Sequence, residues 1–257
     1  PHFDPDAPVQ EAATLRSAGQ VTLRNLPRLR GQASYELHQL PRLPDTADEI
    51  ESIGRLFGAE LGRDLHLGLA ASESRLAALS QSGQLARYRV ISFATHGLVP
   101  GDLDGLDQPA LAFSNPRLTG DQGDGLLTMD EVMALKTNAD WVVLSACNTA
   151  AADGSRSEAI SGLGRAFFYA GSRSLLVSNW PVHSAATRDL MVAIFTRVAH
   201  GGDLSQSSSQ QQAMLELIEQ GGFKSEDGSL LFSYAHPLFW APFVIIGDGG
   251  LSGGPGA

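Results

Sequence analysis

Three short runs constrain this chain more than any other feature. Residues 88–95 (YRVISFAT), 141–146 (WVVLSA) and 174–180 (SLLVSNW) are largely apolar and rich in β-branched and aromatic residues. Runs of this kind, bounded by turn signals, read as strands covered on both faces, the pattern of a parallel sheet rather than of a half-solvated antiparallel one. Helical periodicity separates them. Ile160, Leu163 and Phe167 form one stripe over 159–170, and Gly171 stops it. Thr128 and Glu131 make a T-x-x-E capping box ahead of Val132, Met133 and Leu135. Strands alternating with such helices predict an α/β fold with a mostly parallel sheet flanked by helices on both faces.

The remaining chain fits around that frame. Residues 1–37 are rich in proline, arginine and polar residues and read as a partly irregular lead-in, with one strand near 34–37. Residues 38–248 read as the domain, and 249–257 (GLSGGPGA preceded by glycine) as a flexible tail. Asp45 is placed to cap a helix whose buried side carries Ile50, Ile53, Leu56 and Phe57, and Ser72 to start a second with Leu76 and Leu79 inside. Residues 97–114, with their glycines, prolines and the aspartates 102, 104 and 107, predict a long loop leading into a strand at 110–113. Helices are expected over 184–199 and 204–220, and a last strand over 239–247.

Composition narrows the function. The formal net charge is −10, from 28 acidic and 18 basic residues, which repels a phosphate backbone and argues against nucleic acid as a partner. The single cysteine excludes an internal disulfide and fits a reducing, cytoplasmic setting. No apolar run approaches the roughly 18 residues of a membrane span, and no basic-then-apolar leader opens the sequence. The first residue is proline rather than methionine, as expected of a piece of a longer protein.

That one cysteine, Cys147, follows the run 141–146, and His96 follows the run 88–95. In open parallel sheets the reactive groups stand at the carboxyl ends of the strands. A lone cysteine is most often a small buried hydrophobe. A histidine 147 − 96 = 51 residues upstream, ending a comparable strand, is the spacing of a caspase-type pair. Other chemistries lack their motifs. GLGRAF at 162–167 lacks the final glycine of a dinucleotide fingerprint and falls inside a helix. Neither a GxxxxGK[ST] loop nor a GxSxG elbow occurs. The other histidines have no metal-ligand spacing and the loop aspartates no twelve-residue calcium pattern, so no metal and no cofactor is expected.

The blocks YRVISFATHG, VVLSACNTA, EAISGLGRAFFYAGSRSLLVSNWPV and HPLFWAPFVIIGD, in that order, resemble the CHAT domain, a prokaryotic branch of the caspase-like peptidases related to separase. LPRLPDTADEIESIGRLFGAEL and DGLLTMDEVMAL agree in order as well. The resemblance implies a caspase-hemoglobinase-like fold and a cysteine endopeptidase with a Cys-His dyad. In it His96 is the general base and acid, Cys147 is the nucleophile, and Gly97 and Cys147 give backbone N–H groups to the oxyanion. A nearby imidazole raises the thiolate fraction of a thiol whose free pKa is about 8.5. A glycine after the histidine leaves nothing to obstruct the carbonyl oxygen. An imidazole that must be neutral to act as a base implies activity that falls on the acid side of neutrality.

Ser178, Asn179, Trp180 and His183 are the expected substrate-binding residues, Trp180 as the aromatic wall of the cleft. CHAT sequences carry acids after W-P-V, whereas this chain reads Trp180-Pro181-Val182-His183-Ser184. The obvious carboxylate for a basic substrate side chain is therefore missing, with aspartates 102, 104 and 107 as substitutes. The plain alternative for His183 is a residue that starts a helix. The resemblance further implies a protein substrate, an activating protein or a fused repeat module as partner, and a role in prokaryotic defence or cell death. Residues 151–158 are read as an exposed loop for processing or activation. The rival reading of the whole is a catalytically silent scaffold that binds protein partners.

Overall fold

The computed structural model describes residues 37–40, 42–145, 154–180, 182–200, 205–225 and 227–248, with the backbone alone over 154–161. In chain order the elements are α1 (Pro44–Leu56), α2 (Glu73–Gln81), β1 (Val90–Phe93), β2 (Gly97–Leu98), β3 (Ala110–Ala112), α3 (Pro116–Thr119), β4 (Leu126–Thr128), α4 (Met129–Ala134), β5 (Trp141–Leu144), α5 (Gly154–Tyr169), β6 (Ser174–Ser178), α6 (Ser184–His200), α7 (Gln206–Gln220), β7 (Gly222–Lys224), β8 (Leu230–Ser233), α8 (Pro237–Trp240) and β9 (Phe243–Gly247). Single 3-10 turns cover Leu37–Gln39, Gly68–Ala70 and Leu85–Arg87.

The three apolar runs form the centre of a four-stranded sheet in the order β1-β5-β6-β9, with β1, β5 and β6 parallel and β9 antiparallel against β6. Alternation along each strand separates two cores. Phe93, Val142, Leu144, Leu175 and Val177 pack with α2, α4 and α5 on one face. Trp141, Val143, Leu176 and Phe243 pack with α1, α6, α7 and α8 on the other. Both faces of the sheet are therefore dry, as the sequence predicts for strands without polar alternation.

Local signals explain most boundaries. The Glu131 carboxylate accepts the Thr128 N–H at 2.8 Å, the reach-back bond of the capping box, and the Thr128 hydroxyl donates to the same carboxylate at 2.7 Å. Ser72 caps α2 by accepting the Arg75 N–H at 3.3 Å. Gly171 stops α5 with φ +108°, where its Cα hydrogen sits against the Thr137 carbonyl; a Cβ there would lie 2.5 Å from that oxygen.

Several boundaries differ from the sequence reading. Asp45 does not cap α1; Leu43 is the cap residue, and Pro44 opens the helix, since proline lacks only an N–H that has no partner there. Residues 97–98 are strand rather than loop, because they pair with β3 in a second, antiparallel sheet of order β2-β3-β4. Helix α5 begins at Gly154, so 154–158 of the expected processing loop are helical, and 151–153 lie outside the described residues. The 239–247 run divides into α8 and β9. The β7–β8 hairpin is an element the sequence reading lacks. Residue 37 lies in a 3-10 turn, while 34–36 and the tail 249–257 lie outside the described residues.

Candidate active site

The parallel register sets the geometry of the candidate site. Phe93 of β1 pairs with Leu144 of β5. The pairing continues one residue further, with the Ser145 N–H donating to the Phe93 carbonyl at 2.9 Å. In sequence His96 lies three residues beyond Phe93 and position 147 three beyond Leu144, and β1 and β5 end side by side. Adjacent strands stand about 4.8 Å apart. Cys147 itself, with 146 and 148–150, lies outside the described residues.

His96 is 2% exposed and is held from both sides along the backbone. The Thr95 hydroxyl donates to the Ala112 carbonyl at 2.6 Å, and the Ala112 N–H donates to the His96 carbonyl at 2.9 Å. Gly97 then pairs with Leu111 as β2 begins. The small antiparallel sheet is thus bolted to the end of β1, and it fixes the residue that follows the strand. Gly97 is buried and lies outside the left-handed region that would demand glycine for its φ.

On the other side of β5, strand β6 ends at Ser178, which is fully buried and paired with Phe243. The Asn179 N–H donates to the Pro242 carbonyl at 2.8 Å. Asn179 and Trp180 are half-buried at this edge. The strand order places the end of β5, at Leu144 and Ser145, between the end of β1, which leads to His96, and the end of β6, which leads to 179–180.

His183 follows the end of β6 by five residues. Its Nδ1 accepts the Ala186 N–H at 3.2 Å, which makes it the starting residue of α6. Its ring lies 5.4–5.7 Å from the rings of Phe223, Phe232, Tyr234 and Phe239. That cage comes from the β7–β8 hairpin and α8, and a D-G-S turn at 227–229 ahead of the apolar run 230–232 was its signal in the sequence. Beside it an open cavity of about 580 Å3 is lined by Asp45, Arg188, Asp189 and Lys224. Burial, with Asp189 nearby, pushes the Tyr234 hydroxyl well above the usual range, so the phenol stays protonated. Among the loop aspartates, Asp102 accepts the Val99 N–H at 2.9 Å and closes its own turn, while Asp104 and Asp107 are exposed. Among the described residues no group of acids, histidines and cysteines is arranged to hold a metal ion.

The CHAT domain family matches residues 5–248, nearly the whole sequence. The chain belongs to the CHAT domain family. Its caspase-like α/β architecture agrees with the mostly parallel sheet described above. Among curated proteins it is similar to tetratricopeptide repeat protein 28 from mouse, 34% identical over 127 residues, 48% of this chain and 4% of the relative. It is similar to the human protein of the same name as well, 28% identical over 240 residues, 80% of this chain and 8% of the relative. The CHAT chain thus spans less than a tenth of the length of either relative. Among the described residues no helix is long and apolar enough to cross a membrane.

Proposed function

We propose that this CHAT domain is a cysteine endopeptidase acting on a protein substrate, with His96 and Cys147 as its dyad. The observation that supports it most is the register pairing Phe93 with Leu144, because His96 and position 147 then follow the ends of adjacent parallel strands at equal sequence offsets. His96 takes the proton of the Cys147 thiol, and the thiolate attacks the scissile carbonyl carbon. The backbone N–H groups of Gly97 and Cys147 receive the developing oxyanion, a contribution of about 3 kcal/mol per donor in such sites. Collapse breaks the C–N bond, and His96 gives its proton to the leaving amine. Water, deprotonated by His96, then hydrolyses the thioester and restores the thiol.

Ser178, Asn179 and Trp180 form the substrate side of the cleft in this reading. The repeat-protein relatives, from mouse and human, support a fused repeat module that delivers or senses the protein partner; a cytoplasmic setting and a regulated role such as prokaryotic defence or cell death belong to the same proposal without support from them.

The test is labelling with a peptidyl acyloxymethyl ketone together with cleavage of a proteome-derived peptide library. Wild type is expected to gain the label on Cys147 and to cut peptides, and Cys147→Ala to do neither. Wild type that neither labels nor cuts establishes the scaffold reading in its place, and Cys147→Ala that still cuts removes Cys147 from the role of nucleophile.

A further inference from the structure

The two sides of the candidate cleft are fastened differently. On the His96 side, the Thr95 hydroxyl donates to the Ala112 carbonyl at the point where β1 meets the antiparallel sheet. On the other side, the segment 178–180 leaves β6 opposite the start of β9, where Ser178 pairs with Phe243. One step further the Asn179 N–H donates to the Pro242 carbonyl at 2.8 Å. Antiparallel partners of this kind normally exchange two hydrogen bonds. Proline has no N–H to return, so this last rung, next to Trp180, is held by one.

The rung before it adds no bond between the two strands. Antiparallel rungs alternate, and Ser178–Phe243 is the kind that is not hydrogen-bonded, so the Phe243 carbonyl points away from β6. Among the described residues no strand lies on that far side of β9. Phe243 is buried, and its carbonyl therefore needs a donor from the protein. Gln210 of α7 supplies it, with Nε2 donating at 2.8 Å from a side chain that is itself buried. One helical turn earlier, the Gln206 amide lies 2.6 Å from the hydroxyl of Ser174, at the opposite end of β6. Residues four apart share a helix face, so α7 is tied to both ends of the β6–β9 pair. Only the Gln210 tie is at the cleft end.

We propose that Gln210 is a positioning residue of the cleft: by holding the Phe243 carbonyl it fixes the neighbouring Pro242 carbonyl, the one acceptor of the Asn179 N–H, and with it the segment 178–180. This rests on the endopeptidase reading above, in which 178–180 form the substrate side. Satisfying a buried carbonyl would by itself affect stability alone, and Gln206 would then be the equal of Gln210. A positioning role separates the two glutamines, because only one of them acts on residues that meet substrate.

The experiment compares Gln210→Met with Gln206→Met in the full chain. Each variant removes one tie of α7 and keeps the bulk of the side chain. Hydrogen exchange of the Asn179 amide is read by NMR, and kcat and KM are read per folded molecule on a peptide that wild type cuts. Gln210→Met is expected to speed exchange at Asn179 and to raise KM, each about tenfold, the scale of one buried hydrogen bond, with kcat unchanged. Gln206→Met is expected to change neither. Gln210→His, which keeps a donor, is expected to restore most of both. If Gln210→Met does not fold, Gln210→Asn, whose amide stops one methylene short, takes its place with the same expectation. Unchanged exchange at Asn179, an unchanged KM, or equal effects of the two variants overturns the proposal. A wild type that cuts no peptide removes the endopeptidase reading instead, and exchange at Asn179 then decides the tie by itself.

Discussion

Among the described residues two histidines are deeply buried, each 2% exposed; both follow parallel strands and they differ in what they hold. His96 follows β1, and its backbone is fixed by Ala112 of a second sheet. His183 lies five residues beyond β6, starts α6 through Nδ1, and is enclosed by four aromatic rings. A histidine near a strand's carboxyl end is therefore ambiguous by position alone. What distinguishes the pair is their surroundings: a neighbouring strand that ends at the same level for His96, a helix end and a cage for His183.

Four substitutions test this contrast. The largest effect is expected from His96→Gln, a loss in kcat/KM of about 10³-fold, the scale of a removed acid–base group, with little change in the unfolding midpoint. Urea denaturation read by circular dichroism, alongside the peptide-cleavage assay, separates the two quantities. His183→Ala is expected to do the reverse. Losing the cap and emptying the cage costs about 3 kcal/mol of stability, and His183→Asn, which keeps an acceptor at the helix start, returns about 1 kcal/mol of it. A loss of activity in His183→Ala larger than its unfolding explains would return this residue to the cleft.

Thr95→Val is expected to fall between them. It leaves the buried Ala112 carbonyl short of a donor and costs about 1 kcal/mol. If the antiparallel sheet sets the position of His96, kcat per folded molecule also drops by about tenfold with KM unchanged. An unchanged kcat per folded molecule would assign Thr95 to the fold alone.

The smallest effect concerns Glu73, outside the comparison and useful as its control. Burial raises its carboxyl above the usual 4.5, despite the hydrogen bond from the Gly125 N–H at 3.1 Å. Folding then takes up a proton between 4.5 and the raised value, so acidification through that window favours the fold at this position and neutral pH costs it. Glu73→Gln is expected to raise the melting temperature at pH 7 by about 1 °C, modest because the site is partly solvated. The difference from wild type closes on approach to pH 4, and a difference that is independent of pH excludes the charge as its cause.

Much of the frame was legible in the residues because it rests on local rules. Unbroken apolar strands required cover on two faces, Thr128 and Glu131 required a helix, and Gly171 required a stop. The parts that were not legible depend on distant partners. Strand β2 is two residues long, and nothing in Gly97 and Leu98 shows that Leu111 and Ala110 lie opposite. His183 reads from its neighbours as a residue of the cleft, and only the hairpin some forty positions later encloses it. Asp45 looked like a cap until Pro44 opened the helix before it. Of the candidate site, the strand ends of His96 and of 178–180 were readable, and the clamp of Thr95 on Ala112 was not.

The antiparallel strand β9 of the main sheet has a practical consequence. Because β9 runs back along β6, it begins beside Asn179 and finishes beside Arg173, where the Asp248 N–H donates to the Arg173 carbonyl at 3.1 Å. Five residues of strand cover about 16 Å. A surface tether or fluorescent reporter joined after Asp248 therefore departs from the end of the sheet remote from the cleft, and leaves the approach of a large protein substrate open.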